Sequence, residues 1–171
     1  MYLARTDDNG SRELGPKDAD LLSISKNGEL AIRLNTVNLG GYARAGTLAR
    51  VPLSGGTPRE VLENVQDADW AANGESMAVV RFVPENSHWR LEYPIGKVLL
   101  DGINWIGQPK ISPNGKLVAF ADHENTGGDD EITAKIPAQT ELGRGILEMV
   151  RHRNPPTSPP IPYCDCGQRP S

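Results

Sequence analysis

The sequence predicts an all-β fold assembled from repeated four-stranded antiparallel modules, and three observations carry that prediction. Short apolar runs with period-two alternation are bounded by Gly, Pro, Asn and Ser. Gly 18 and Pro 14 in 171 residues are more helix breakers than a helical bundle tolerates. One pattern also recurs: an apolar residue, then Asn-Gly, then a charged residue, then an apolar run containing Ala.

Composition removes several function classes. Eighteen Lys and Arg against 22 Asp and Glu give a net charge of −4, and a chain with no basic excess is a poor nucleic-acid binder. No run approaches the ~20 apolar residues of a membrane span. The start, Met1-Tyr2-Leu3-Ala4-Arg5-Thr6-Asp7-Asp8, turns polar at once and shows no signal peptide.

The elements follow in order. Residues Tyr2 to Thr6 and Arg12 to Leu14 flank Asn9-Gly10 and read as an outer hairpin. The three repeat copies are Leu22 to Ile32, Asp69 to Val79 and Lys110 to Phe120. Their Asn-Gly pairs start at 27, 73 and 114, so the spacings are 46 and 41. Asn-Gly suits a type I′ turn, with positive φ at both centres, joining two strands. The first copy is one residue shorter after its Gly, so its register is expected to differ.

Each of the first two copies is followed by a second hairpin. Thr47 to Leu53 alternates, Ser54-Gly55-Gly56 turns the chain, and Arg59 to Leu62 returns. In the next unit Trp89, Leu91 and Tyr93 share one face of a strand, and His88, Arg90 and Glu92 the other. Pro94-Ile95-Gly96 turns it, and Lys97 to Leu100 returns. Leu3-Ala4-Arg5 and Arg12-Glu13 echo Leu48-Ala49-Arg50 and Arg59-Glu60, so the chain starts in the middle of a module.

Four short strands per ~40–45 residues is the period of a propeller blade. The expected architecture is a partial β-propeller of about three four-stranded antiparallel blades, with a short helical or disordered C-terminal tail. A half-blade spans 1–20, full blades 21–66 and 67–107, and a partial blade 108–137, where Ile132, Ala134 and Ile136 alternate as one more strand. A short helix is expected over 138–153, where Leu142, Ile146, Met149 and Val150 fall at helical spacing, although Gly143 and Gly145 weaken it. The Pro-rich tail 154–171 reads as unstructured.

The copy Ile111-Ser112-Pro113-Asn114-Gly115-Lys116-Leu117-Val118-Ala119-Phe120 resembles the WD40-like (PD40) propeller repeats of the TolB type; the other copies carry Lys26 and Ala72 in place of the Pro. With Asp20 to Ser25, Gly46 to Leu53 and Val65 to Trp70, residues 1–130 are similar to the propeller region that follows the kinase domain in bacterial serine/threonine kinases. No kinase motif is present. The resemblance implies a non-catalytic scaffold binding a protein or small-molecule ligand, as the sensory or interaction region of such a kinase, in an extracytoplasmic (periplasmic) setting. Two alternatives stand beside it. One is the propeller cap of a prolyl-oligopeptidase-like peptidase. The other is a truncated fragment with no independent function, poorly soluble, self-associating through open blade edges and with a weak thermal transition. The change of composition near 137 reads as a cut or frame-shifted end.

Candidate chemistry is sparse. Asp122, His123, Glu124, Asp129 and Asp130 are the densest group of potential ligands, but their spacing is not that of a Ca²⁺ loop. Asp122, His123, Asp129 and Asp130 are retained as loop binding candidates; no catalytic residue, metal or other cofactor is expected. Cys164 and Cys166 lack the second pair of a structural zinc site. His88 and His152 read as surface histidines, and no Gly-x-Ser-x-Gly elbow accompanies them. Trp70, Trp89 and Trp105 read as packing between blades. Asp67 and Asp69 read as caps on backbone amides.

Overall fold

The turns that start each repeat decide the local geometry. The computed structural model describes residues 1–7, 10–123, 132–135 and 150–151. At each Asn-Gly only the glycine takes positive φ, with values of 75° at Gly28, 72° at Gly74 and 70° at Gly115. The amide of Gly28 donates to the Ser25 carbonyl at 3.1 Å and that of Ser25 to the Glu29 carbonyl at 2.8 Å. This is a type I turn followed by one left-handed glycine, not the expected type I′. The reason is the asparagine itself. In the second and third copies its side chain accepts from the amides of Glu75 (2.9 Å) and Lys116 (3.1 Å), two residues on, which holds the turn from outside. Those two turns close one residue later, from Ala71 to Ser76 and from Ser112 to Leu117, so the shorter first copy does have its own register.

The strands are β1 (Tyr2–Ala4), β2 (Ser11–Glu13), β3 (Asp20–Ile24), β4 (Glu29–Gly40), β5 (Ala43–Pro52), β6 (Arg59–Trp70), β7 (Met77–Val83), β8 (His88–Glu92), β9 (Val98–Gly102), β10 (Trp105–Ile111), β11 (Val118–His123), β12 (Ile132–Lys135) and β13 (Val150–Arg151). All pairings are antiparallel, in the orders β1-β2, β3 through β9, and β10 through β13. The sheet β3 to β9 is two blades joined by one long strand. The first part of β6 pairs with β5 (Leu48↔Leu62), and its last residues pair with β7 (Asp67↔Val80 to Trp70↔Met77). The outer strand of blade 1 therefore runs on as the inner strand of blade 2. Blade 3 begins at β10, and β1-β2 is the N-terminal half-blade.

Of the helix expected over 138–153 only Val150–Arg151 lie among the described residues, and these two form a short strand against β12 (Ala134↔Val150, Thr133↔Arg151). A β-branched Val beside an open strand edge favours the extended form; residues 136–149 and 152–171, including the Pro-rich tail, lie outside the described residues.

The apolar runs after each Asn-Gly have few polar breaks because both faces are covered by neighbouring blades. In β4, Leu30 and Ile32 pack toward the half-blade with Leu14, Ala49 and Val51, while Ala31 packs toward blade 2. In β7, Met77 and Val79 face blade 1 with Leu48, Val65 and Trp70, while Ala78 and Val80 face blade 3 with Trp89, Leu91, Ile106, Val118 and Phe120. The three cores are thus the three interfaces between successive blades. Each fully buried Leu, Ile or Val contributes ~1.5–3 kcal/mol. The tryptophans serve these interfaces as expected. Trp70 and Trp89 are buried; Arg50 lies 4.8 Å from the Trp70 ring centroid, and Phe82 lies 5.2 Å from Trp89.

Polar ties cross between blades at offsets close to the repeat spacing. Asp69 accepts from Ser23 Oγ at 3.1 Å and from the Ile111 amide at 2.9 Å, and Asp67 accepts from the Gln108 amide at 2.9 Å. Both aspartates cap backbone amides, in each case the amide of the next blade's inner strand. Asn27 Nδ2 donates to the carbonyls of Asn73 (3.4 Å) and Gly74 (3.3 Å). Equivalent residues of neighbouring blades are therefore spatial neighbours.

Candidate functional site

The Asn-Gly turns occupy one face of the blade stack. On the opposite face, the starts of the inner strands and the ends of β4, β7 and β11 gather most of the buried polar groups. Arg33 follows the apolar run of β4 and is 5% exposed. Its guanidinium donates to Asp20 Oδ2 (2.7 and 3.2 Å), to Thr36 Oγ1 (3.2 Å) and to the Gln66 carbonyl. Thr36 Oγ1 donates to the same Asp20 oxygen at 2.8 Å. Gln66 sits where β6 passes from one blade to the next and is also buried. Its Oε1 accepts from Trp105 Nε1 (2.9 Å) and the Arg44 amide (3.2 Å), and its Nε2 donates to the Ile106 carbonyl (3.0 Å). A continuous polar line thus runs from blade 1 to blade 3.

The Arg33 guanidinium beside it holds the Asp20 carboxyl below the ordinary carboxylate range, with Thr36 adding to the effect. Asp20 stays ionised at neutral pH and half-exposed, at the wall of an open cleft of about 490 Å³. Asp18, Asn35, Thr36, Asn38 and Arg44 complete the lining. The cleft offers carboxylates, amides, a hydroxyl and one guanidinium, groups that bind and orient a polar partner.

Of the residues singled out in the sequence, Asp122 is buried (2% exposed) on β11, opposite Ile106 on one side and Thr133 on the other. It lies on the same face and lines a smaller cavity of about 210 Å³ with Trp89, Leu100, Ile103, Asn104 and Ile106. It is a strand residue, not the loop residue expected. The backbone of His123 pairs with Trp105 and Ile132, so it too lies in the strand. Asp122 and His123 are consecutive on β11; Asp129 and Asp130 lie outside the described residues. Among the described residues no group of three or more His, Cys, Asp or Glu converges as a metal site.

His88 pairs with Asp101 at 2.7 Å, and Arg90 donates to the same carboxylate at 2.6 and 2.9 Å. Arg90 first and His88 second lower the Asp101 pKa. This outer-hairpin cluster includes no hydroxyl or thiol. Glu92, placed by alternation on the polar face, is instead buried, with its Oε2 accepting from the Gly96 amide at 2.8 Å. It closes the Pro94-Ile95-Gly96 turn.

The structure is similar to two solved propellers. One is the β-propeller domain of the Trilobed protease from Pyrococcus furiosus, described as having an open velcro topology, at 15% identity and a TM-score of 0.50 over 69% of this chain and 38% of that one. The other is the acylaminoacyl peptidase of Pyrococcus horikoshii, at 16% identity and a TM-score of 0.55 over 78% of this chain and 25% of that one. The chain therefore spans well under half the length of either one, and the likeness establishes a β-propeller fold. No protein-family model matches the sequence, and a search of curated proteins finds no match.

Proposed function

We propose that this chain is a non-catalytic propeller segment that binds through the face opposite its Asn-Gly turns, and that it works as part of the propeller of a peptidase. One observation carries the binding reading: the buried polar line through Asp20, Arg33, Gln66 and Trp105 and both cavities open on that single face. Rigid blades with function placed on one rim is how propellers present ligand sites. The likeness to two peptidase propellers supports the peptidase setting over the kinase setting.

The test is the coding sequence on either side, together with a peptidase assay of the purified chain. An adjoining α/β-hydrolase segment with a Gly-x-Ser-x-Gly elbow, and no turnover by this chain alone, is expected. Turnover by this chain alone contradicts the non-catalytic role.

A second reading rests on the stretches Asp20 to Ser25, Gly46 to Leu53 and Val65 to Trp70, which resemble the propeller region of bacterial serine/threonine kinases. Under it the flanking sequence encodes a membrane span and a kinase domain with its Gly-rich loop, and this chain is extracytoplasmic. Finding neither a hydrolase nor a kinase removes both settings.

A further inference from the structure

Blade 1 departs from the period of its neighbours. Its repeat is 46 residues long where the next is 41. Much of the added length lies in the β4–β5 hairpin, whose strands run 12 and 10 residues against 7 and 5 for β7 and β8. Length added to one repeat projects from one face, often the binding face.

The projecting part has an open edge. β3 covers β4 only as far as Asp20↔Arg33, so from Leu34 to Gly40 that edge of β4 has no partner strand among the described residues. A bulge at Asn35 (φ 52°) interrupts the ladder, and pairing with β5 resumes at Val37↔Ala45 and Asn38↔Arg44. Residues 34–43 contain no charged side chain and no proline, the devices that usually keep such an edge from pairing. Val37 and Tyr42 are 58% and 82% exposed.

The charges beside the edge complement one another. Asp18 and Arg44 line the same cleft; the Arg44 charge acts on the Asp20 carboxylate beside it, at a distance beyond an ion pair, and Asp18 adds a second carboxylate there. A two-fold contact sets the same patch against itself, so a patch carrying both a carboxylate and a guanidinium suits it. Antiparallel pairing of two overhangs lays the tip of each beside the base of the other. Asp18, at the base, then faces the partner's Arg44, nearer the tip.

We propose that the open edge of β4 between Leu34 and Gly40 pairs with the same edge of a second copy of this chain, with Asp18 and Arg44 exchanged across the two-fold axis. The contact surface is small, which makes the dimer a weak, concentration-dependent one.

Sedimentation equilibrium of the full chain tests this, with circular dichroism as the check on folding. The weight-average mass is expected to rise with concentration from 18.5 kDa toward twice that value. Val37→Lys, at an exposed position, should weaken association about tenfold. Asp18→Arg and Arg44→Asp should each weaken it by a factor of about three to ten, and the double swap should restore it. A monomer at every concentration overturns the proposal and leaves the edge to a different occupant. So does a dimer indifferent to Val37→Lys, or one that the double swap fails to restore.

Discussion

Replacing Asp69 by Ala should loosen the join between blades, because one carboxylate ties three of them. The carboxylate accepts from Ser23 Oγ in blade 1 and from the Ile111 amide in blade 3, with Lys110 Nζ at 3.3 Å as a third contact. A hydrogen bond to a charged group contributes ~1.5–3 kcal/mol, and the Ile111 amide would lose its acceptor. Two such bonds, less the relief of a carboxylate that is only 14% exposed, leave a loss of about 2–4 kcal/mol. The Lys110 contact adds little, because that side chain is 69% exposed. Lys110→Ala should therefore change stability by at most ~1 kcal/mol. Native-state hydrogen exchange read at the Ile111 amide separates these contributions without requiring a single cooperative melt. Asp69→Ala should accelerate exchange there roughly 30-fold or more, since each ~1.4 kcal/mol is a factor of ten, and Lys110→Ala less than about fivefold. Equal effects from the two substitutions, or no effect from Asp69→Ala, would refute the assignment of Asp69 as the inter-blade tie.

Three further outcomes follow from the same geometry. Arg33→Met should destabilise by about 2–4 kcal/mol in denaturant titration, because it leaves the buried Gln66 carbonyl without its guanidinium donor and Asp20 with the Thr36 hydroxyl alone; a loss under ~1 kcal/mol would show the polar line to be ornamental. Gly46→Ala should cost more than Gly28→Ala in the same titration: a Cβ at 46 meets the Leu34 carbonyl and lies 2.7 Å from Arg33 Cγ, whereas at 28 the nearest atom is 3.9 Å away and only the left-handed φ is penalised, by ~1–2 kcal/mol. Stability should also fall in acid. Arg33 lowers the pKa of Asp20, Arg50 that of Glu29, and Arg90 that of Asp101. A folded-state pKa below the unfolded one gives stability that is present above the ordinary carboxylate value of ~4 and lost as the pH drops through the lowered one. Unfolding followed from pH 7 to 2 should show that decline, and Asp20→Asn should flatten it; a decline unchanged by the substitution contradicts the Asp20–Arg33 assignment.

The blade organisation was legible in the sequence because Asn-Gly and the apolar runs recur with a period, and a period survives local error. The turn type was misread for a local reason. Asn27, Asn73 and Asn114 stay out of the left-handed region and leave only glycine in it, which Asn-Gly alone does not disclose. Arg33, Gln66 and Glu92 went unrecognised as buried polar residues, because alternation assigns a face by polarity and cannot see a neighbouring blade covering that face. Asp122 was placed in a loop, since the run Val118 to His123 loses its apolar pattern before the strand ends. The β4 overhang was present only as five extra residues between the first two repeats, a difference that carries no meaning until strand pairing shows where they lie.

The most direct test of the account is a set of inter-residue distances measured across repeats. Nuclear Overhauser contacts should link Asn27 with Gly74, Ser23 with Asp69, Asp69 with the Ile111 amide, and the Trp105 indole N–H with the Gln66 side chain. Those pairs meet only if β6 folds from one blade into the next and the blades stack face to face. Contacts confined to adjacent strands of β3 to β9, with none of the four cross-repeat pairs observed, would mean a single open sheet and would contradict the account.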